Sequence, residues 1–288
     1  TGLFIVGLGF SLQQTAANPL AIVMGNPKSG SQRLSMAGGI NNLGTTIGPV
    51  LVSLAIFGSV VASSGVASIE SVKIPYLTLG AAFLVAALVF KFSSVPNKVD
   101  LTPEIAAGDT APIERKSVWN YPQLVLGMAA IFVYVGVEVT TASNLPEFMR
   151  LHAQTETKNI APFVSLYWAS LMIGRWTGSV GALDISKGIK QILRFIMPYI
   201  AFGVFLLINR LASHDITPFY IYAFVIVAMI IGDILSKGNP ARQLLIFSLM
   251  GIAANFIGML ADGMVSVYAF IAVGLFCSTL WPCIFTLA

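Results

Sequence analysis

Nine long apolar segments, separated by short polar connections, fill almost all of the 288 residues. About 20 apolar residues cross the hydrocarbon core of a bilayer as a helix. Inside lipid each backbone N–H and C=O must be satisfied within its own segment, so stacked spans of this kind read as helices. The pattern predicts an all-α, polytopic membrane protein and makes its few polar side chains at membrane depth the informative ones. Composition agrees, with 56% hydrophobic and 10% charged residues, where a soluble domain averages about 25% charged. Only a lipid-facing surface uses so much apolar side chain. The bases sit in short loops rather than on a face interleaved with aromatics, which argues against a nucleic-acid partner. Cys277 and Cys283 stand six apart in one span and read as small apolar fillers, with no metal site.

The spans are expected at about residues 2–24, 34–61, 75–92, 120–144, 160–183, 195–211, 218–235, 244–260 and 264 to the end. The longest polar stretch, 93–119, holds Pro96, Pro103 and Pro112 among mixed charges and reads as a cytoplasmic linker. It divides an N-terminal bundle (1–92) from a C-terminal one (120–288). Alternating the spans puts eleven Lys and Arg on one side and four on the other, with Arg175 left inside the fifth span. The richer side is assigned to the cytoplasm, so the first span runs inward. Thr1 is not an initiator residue and the first span starts at once. An odd number of spans is therefore expected upstream, given a cytoplasmic N-terminus.

Few polar groups lie at membrane depth. Gln14 and Asn18 are four apart and share a helix face, with Pro19 weakening the ladder beside them. Their amides both donate and accept, which suits a ligand hydroxyl or a neighbouring helix. Two readings stand for Asn41, a cavity wall or a bond to another helix. Gly44 and Gly48 form a small-xxx-small pair and read as a close helix approach. Glu138, about 9 Å outward of the middle of its span, is the only acid well inside one. A carboxylate there marks an ion, proton or substrate path, or pairs with a buried base. Tyr134 and Thr141 share its face. Arg175 stands in Gly174-Arg175-Trp176-Thr177-Gly178 towards the cytoplasmic end, far from Glu138 in depth. It reads as structural or gating, with Asp184 as a candidate partner. Pro282 is expected to kink its helix. Trp281 suits either a ring-stacking contact or an interfacial belt. No catalytic dyad or phosphate cradle is present, which argues against an enzyme.

Several of these segments, taken together, resemble a known family. Gln13-Gln14-Thr15-Ala16-Ala17-Asn18-Pro19, Arg33-Leu34 and Asn41-Asn42-Leu43-Gly44-Thr45-Thr46 resemble the fourth and fifth helices of fucose/glucose/galactose permeases of the major facilitator superfamily. Tyr134-Val135-Gly136-Val137-Glu138-Val139 resembles their seventh helix, Gly174–Gly178 their eighth, and Trp281-Pro282-Cys283-Ile284-Phe285-Thr286-Leu287 their tenth. The resemblance implies two six-helix halves around a midplane site, with three helices upstream of this chain. It implies a monomeric, cofactor-free importer of a hexose in the cell inner membrane, working by alternating access and coupled to a proton or sodium ion. Its partners would be the sugar and membrane lipid. A membrane sugar sensor without transport is the alternative. The residues implied to meet sugar are Gln14, Asn18, Asn41, Glu138 and Trp281, with Glu138 the candidate for ion coupling; Gln14, Asn41 and Glu138 are expected to face one cavity.

Two departures accompany the resemblance. The fucose permease has an acid where Gln14 stands, and glutamine cannot titrate. Between the segments that resemble the eighth and tenth helices the family needs one span and this chain has three. The extra pair is placed at about 195–235, expected outside the bundle and away from the cavity, because Asn209 and Asp233 lie at its ends.

Overall fold

A computed structural model describes residues 2–25, 29–57, 69–94, 117–156 and 159–288. These residues form ten α-helices: α1 Gly2–Val23, α2 Gly30–Phe57, α3 Ile69–Phe92, α4 Pro122–Leu151, α5 Ala161–Ser179, α6 Lys187–Leu211, α7 Tyr222–Ser236, α8 Pro240–Leu260, α9 Gly263–Cys277 and α10 Leu280–Leu287. No strand occurs among the described residues. The fold is the all-α polytopic one expected. The interior of the proposed linker, 95–116, lies outside the described residues.

Six helical stretches are long and apolar enough to cross a membrane: 73–92, 122–151, 187–211, 217–236, 240–260 and 263–287. The other three, α1, α2 and α5, run 22, 28 and 19 residues. Their polar side chains lower their apolarity, and those side chains converge on one place, as shown below. Several helices begin earlier than expected. The basic segment 184–194, read as a turn, is helical from Lys187. Its lysines and Arg194 extend α6 beyond the apolar run, because long basic side chains place their charge in water while their stems cover the helix.

α2 holds the two ends of the chain together. Ser31, Ser35, Gly39, Asn42 and Thr46 recur every three or four residues, and the four polar ones are buried. Small groups on one face let another backbone come close, and α5 packs there. Trp176 Nε1 donates to the Gly39 carbonyl at 3.0 Å. A Cβ at Gly39 would meet the Trp176 ring at 2.6 Å, and one at Gly38 would meet Arg175 Cδ at 3.1 Å. The close approach thus falls at Gly38–Gly39 rather than at Gly44 and Gly48, where a Cβ would meet no described atom within 4 Å. Arg33 fastens α1 to α2 by donating to the Ala21 carbonyl (3.0 Å) and to that of Ile22 at the last turn of α1, where a cation suits the helix dipole.

The pair 195–235 is more than an outer appendage. Phe202, Phe205, Phe219, Tyr222 and Ile226 are buried in the main hydrophobic core. Phe219 meets Phe163 of α5 and Phe205 edge to face at 4.9 and 5.3 Å. Ser170 donates its one hydrogen to the Leu166 carbonyl (2.7 Å), so Tyr222 donates its own to Ser170 Oγ (2.7 Å).

The glycine assignment is testable with one substitution at two places. Gly39→Ala should lower stability by about 1–3 kcal/mol through overpacking. Gly44→Ala should be neutral or stabilising by up to about 1 kcal/mol, since Ala is the better helix former. Thermal unfolding of the purified protein in detergent measures both; equal midpoints would refute the placement of the close approach.

Candidate functional site

The site begins with a missing hydrogen. Pro282 has no N–H to offer the carbonyl four residues earlier, and its ring crowds that carbonyl. That carbonyl belongs to Ser278, and the last apolar span breaks there: α9 ends at Cys277 and α10 starts at Leu280. The freed Ser278 oxygen accepts from Arg175 Nε at 3.2 Å. Arg175 reaches it because Gly174, one residue before, lies flush against Ser278; a side chain there would occupy the space of the serine Oγ.

The rest of the guanidinium points two further ways. Nη1 donates to Asn42 Oδ1 of α2 at 3.1 Å, and Nη2 donates to the Tyr134 hydroxyl of α4 at 3.3 Å. Arg175 is 8% exposed, and no ion pair to it is found among the described residues. Asp184 is therefore not its partner; neutral oxygens on three other segments are. The expected separation in depth from Glu138 is also corrected. The long side chain runs inward to Tyr134, one helical turn from Glu138, and Arg175 and Glu138 line the same cavity.

That cavity, of about 740 Å³, lies between α1 and α2 on one side and α4, α5 and α10 on the other. All five residues singled out as sugar contacts line it: Gln14, Asn18, Asn41, Glu138 and Trp281. Asn18 Nδ2 donates to Gln14 Oε1 at 2.8 Å, which leaves the Gln14 N–H groups and the Asn18 oxygen to meet a ligand. Pro19 removes the donor due to the Thr15 carbonyl, and Thr15 also lines the cavity. The two readings of asparagine divide between neighbours: Asn41 is exposed on the cavity wall, whereas Asn42 is buried and bonds across helices. Aromatic faces complete the wall: Trp281 and Phe285, 5.6 Å apart, Phe10, and Trp168. Amides, one carboxylate and flat aromatic faces form a set that can bind a ligand carrying both hydroxyls and C–H faces.

Asn42 and Ser278 are parts of the site that sequence reasoning does not single out, and Tyr134 enters it only as a residue on the face of Glu138. A signal exists for Asn42 in the recurrence of small polar groups from Ser31 to Thr46. None exists for Ser278, whose role is carried by its backbone oxygen.

No residue of 195–235 lines this cavity. The C-terminal end of α6 and the turn after it do line another hollow of about 640 Å³, through Ile208, Asn209, Ala212 and His214, beside Thr45 and Trp168. There Asn209 Nδ2 donates to the Phe205 carbonyl (3.0 Å), so its oxygen is the atom that faces His214 Nδ1 at 3.1 Å. Burial holds the His214 imidazole below its ordinary pKa.

Comparison with curated proteins places the chain among named relatives. It is 33% identical over 189 residues to a glucose/galactose transporter of Brucella abortus, covering 65% of this chain and 44% of that protein. It is 32% identical over 183 residues to a putative glucose/galactose transporter of Helicobacter pylori (62% and 43%), and 27% identical over 202 residues to the L-fucose-proton symporter of Escherichia coli (62% and 44%). The chain is a homologue of these sugar permeases. It spans less than half the length of the relatives it matches. The relatives are named as transporters and a symporter rather than as enzymes. With its apolar helices, this makes the chain part of a multi-pass protein of the cell membrane. No family model matches the chain, and no solved structure matches it.

The Arg175 junction carries its own prediction. Lysine offers its donors from one point and cannot fork to three oxygens. Each hydrogen bond to a charged group contributes about 1.5–3 kcal/mol. Arg175→Lys should therefore lower stability in detergent by about 2 kcal/mol or more, seen as a lower unfolding midpoint. An unchanged midpoint would remove Arg175 from its place as a junction.

Proposed function

We propose that this chain belongs to a secondary transporter that imports a hexose by alternating access, with cation coupling through Glu138. The observation that carries the reading is the single cavity in which Gln14, Asn18, Asn41, Glu138 and Trp281 meet. It lies where segment 1–92 faces segment 120–288, the two units proposed as the halves of the transporter. Midplane sites between repeated units suit alternating access, because rocking one unit against the other exposes the site to each side in turn. Hydroxyl-rich ligands match the amides, and the C–H face of a sugar ring matches Trp281 or Phe285. The named relatives support the same substrate class, and they lend no support to a sensor. Glu138 is the coupling group because it is the one carboxylate among the described residues that line the cavity, and intramembrane acids of this kind mark ion and proton paths.

Glu138→Gln keeps the shape and hydrogen-bonding atoms of the side chain and removes its charge. In sealed vesicles the variant should lose gradient-driven accumulation of glucose, galactose or fucose while retaining exchange of labelled sugar. Exchange needs only the binding site; accumulation needs a group whose charge changes through the cycle. Equal loss of both would make Glu138 a sugar ligand, and loss of neither would end its functional reading.

A further inference from the structure

Resting on the proposed reading of the chain as part of a hexose importer, we infer that the hollow at the C-terminal end of α6 is a second binding position for the same sugar, a waiting site on its way into the central cavity. Neither the motifs nor the names of the relatives give this hollow a role. Three observations lead to it.

First, the hollow lies at the end of a packed seam. Side-chain contacts of α2 with α5 and the turn after it run from Gln32 opposite Gly181, through Gly39 opposite Trp176, to Thr46 Oγ1 opposite Met172 Sδ at 3.9 Å. The hollow opens beside that last contact, between Thr45 and Thr46 of α2 and Ser165 and Trp168 of α5. Its volume of about 640 Å³ falls within the usual range for small-molecule sites, about 300–1,000 Å³. Second, Thr45 and Trp168 also line the central cavity, so they form the partition that a ligand would pass. Third, the hollow keeps polar groups for a ligand. Asn209 is 3% exposed and its Nδ2 donates to the Phe205 carbonyl. Its oxygen therefore faces His214 Nδ1 at 3.1 Å, and that nitrogen carries the hydrogen. The neutral imidazole is left with Nε2 as an acceptor. Thr45 Oγ1 spends its hydrogen on the Asn42 carbonyl and can still accept. The Ser165 hydroxyl and the Trp168 indole N–H have no hydrogen-bond partner among the described residues.

Acceptors, one hydroxyl, an indole N–H and a flat ring together match a sugar, whose hydroxyls donate and accept and whose C–H face is apolar. An ion is a poor fit, because no Asp, Glu, Lys or Arg among the described residues lines the hollow. A lipid chain would cover the apolar wall of Ile208 and Ala212 but leave the polar groups unmatched, which is costly away from water. The direction of passage follows from charge. Lys187, Lys190 and Arg194 stand at the start of α6, on the side assigned to the cytoplasm. The C-terminal end of α6, and the hollow with it, lies towards the outer side. An entering sugar meets the hollow first and passes Trp168 and Thr45 to reach Gln14, Asn41 and Glu138.

The test is Ser165→Cys in the full-length transporter, in sealed vesicles with the outer side exposed. The change is one atom, and uptake before labelling reports that the variant folds. Cys277 and Cys283 are buried, and labelling of the wild type is subtracted. A membrane-impermeant maleimide should label the new thiol from outside. Whichever of glucose, galactose or fucose the vesicles accumulate should slow labelling along a saturable curve, about tenfold at ten times the half-protecting concentration. Adding Gln14→Ala, a residue that lines the central cavity and not the hollow, should weaken uptake and leave the half-protecting concentration unchanged. Labelling that ignores an accumulated sugar would overturn the inference and leave the proposed function standing. Protection that vanishes with Gln14→Ala would overturn it too, placing the sugar in the central cavity alone. Labelling by a lipid-soluble maleimide but not by the impermeant one would do the same, since the hollow would then open to lipid. Vesicles that accumulate no hexose would remove the proposed function, and this inference with it.

Discussion

A guanidinium buried in a membrane protein with no carboxylate bonded to it must be satisfied by neutral oxygens, and much of this structure answers that need. Arg175 carries five N–H donors, and three are matched by acceptors from three separate segments. Each acceptor has its own local cause. Ser278 is available because Pro282 breaks the ladder. Asn42 is available because a face of small residues lets α2 lie against α5. Tyr134 is available because α4 turns it inward, buried, beside the cavity. Leaving any of these groups unmatched at depth would cost about 1–3 kcal/mol, so the helix break, the close contact and the inward tyrosine stand or fall together.

The same device occurs twice. Pro19 in α1 and Pro282 in α10 each remove the donor due to a carbonyl four residues earlier, that of Thr15 on the cavity wall and that of buried Ser278. One release is taken up within the protein, by Arg175. The other, at Thr15, is left on the cavity wall. Proline inside a spanning helix is tolerated where neighbouring groups or a cavity re-satisfy the backbone, and both outcomes are present here.

The spans are legible in the sequence because length and apolarity settle them, and the cavity set is legible because polar groups at membrane depth are rare. What sequence misjudges depends on reach and on neighbours. Counting residues along their helices places Arg175 and Glu138 far apart, but the long side chain reaches Tyr134, one helical turn from Glu138, and both charged residues line one cavity. Gly44 and Gly48 fit a spacing rule, yet the aromatic ring that needs room is Trp176, opposite Gly39. The start of α6 is misread because its first two turns are basic, and hydropathy alone does not register a helix continuing into water. The pair 195–235 lacks polar groups at its middle, which correctly removes it from the central cavity but says nothing of the buried aromatic face it presents to α5.

That aromatic face has a mechanical consequence. Phe205, Phe219 and Tyr222 interlock with Phe163 and Ser170 of α5, and Arg194 faces Asp233 at 3.7 Å across the other end of the pair. α6 and α7 are thus joined to each other at one end and packed on α5 at the other. The exposed residues of the turn between them, such as Ser213 and Asp215, stand beside that contact with α5. A spectroscopic label fixed there would report on the surroundings of α5 from outside the central cavity, without touching a residue that lines it.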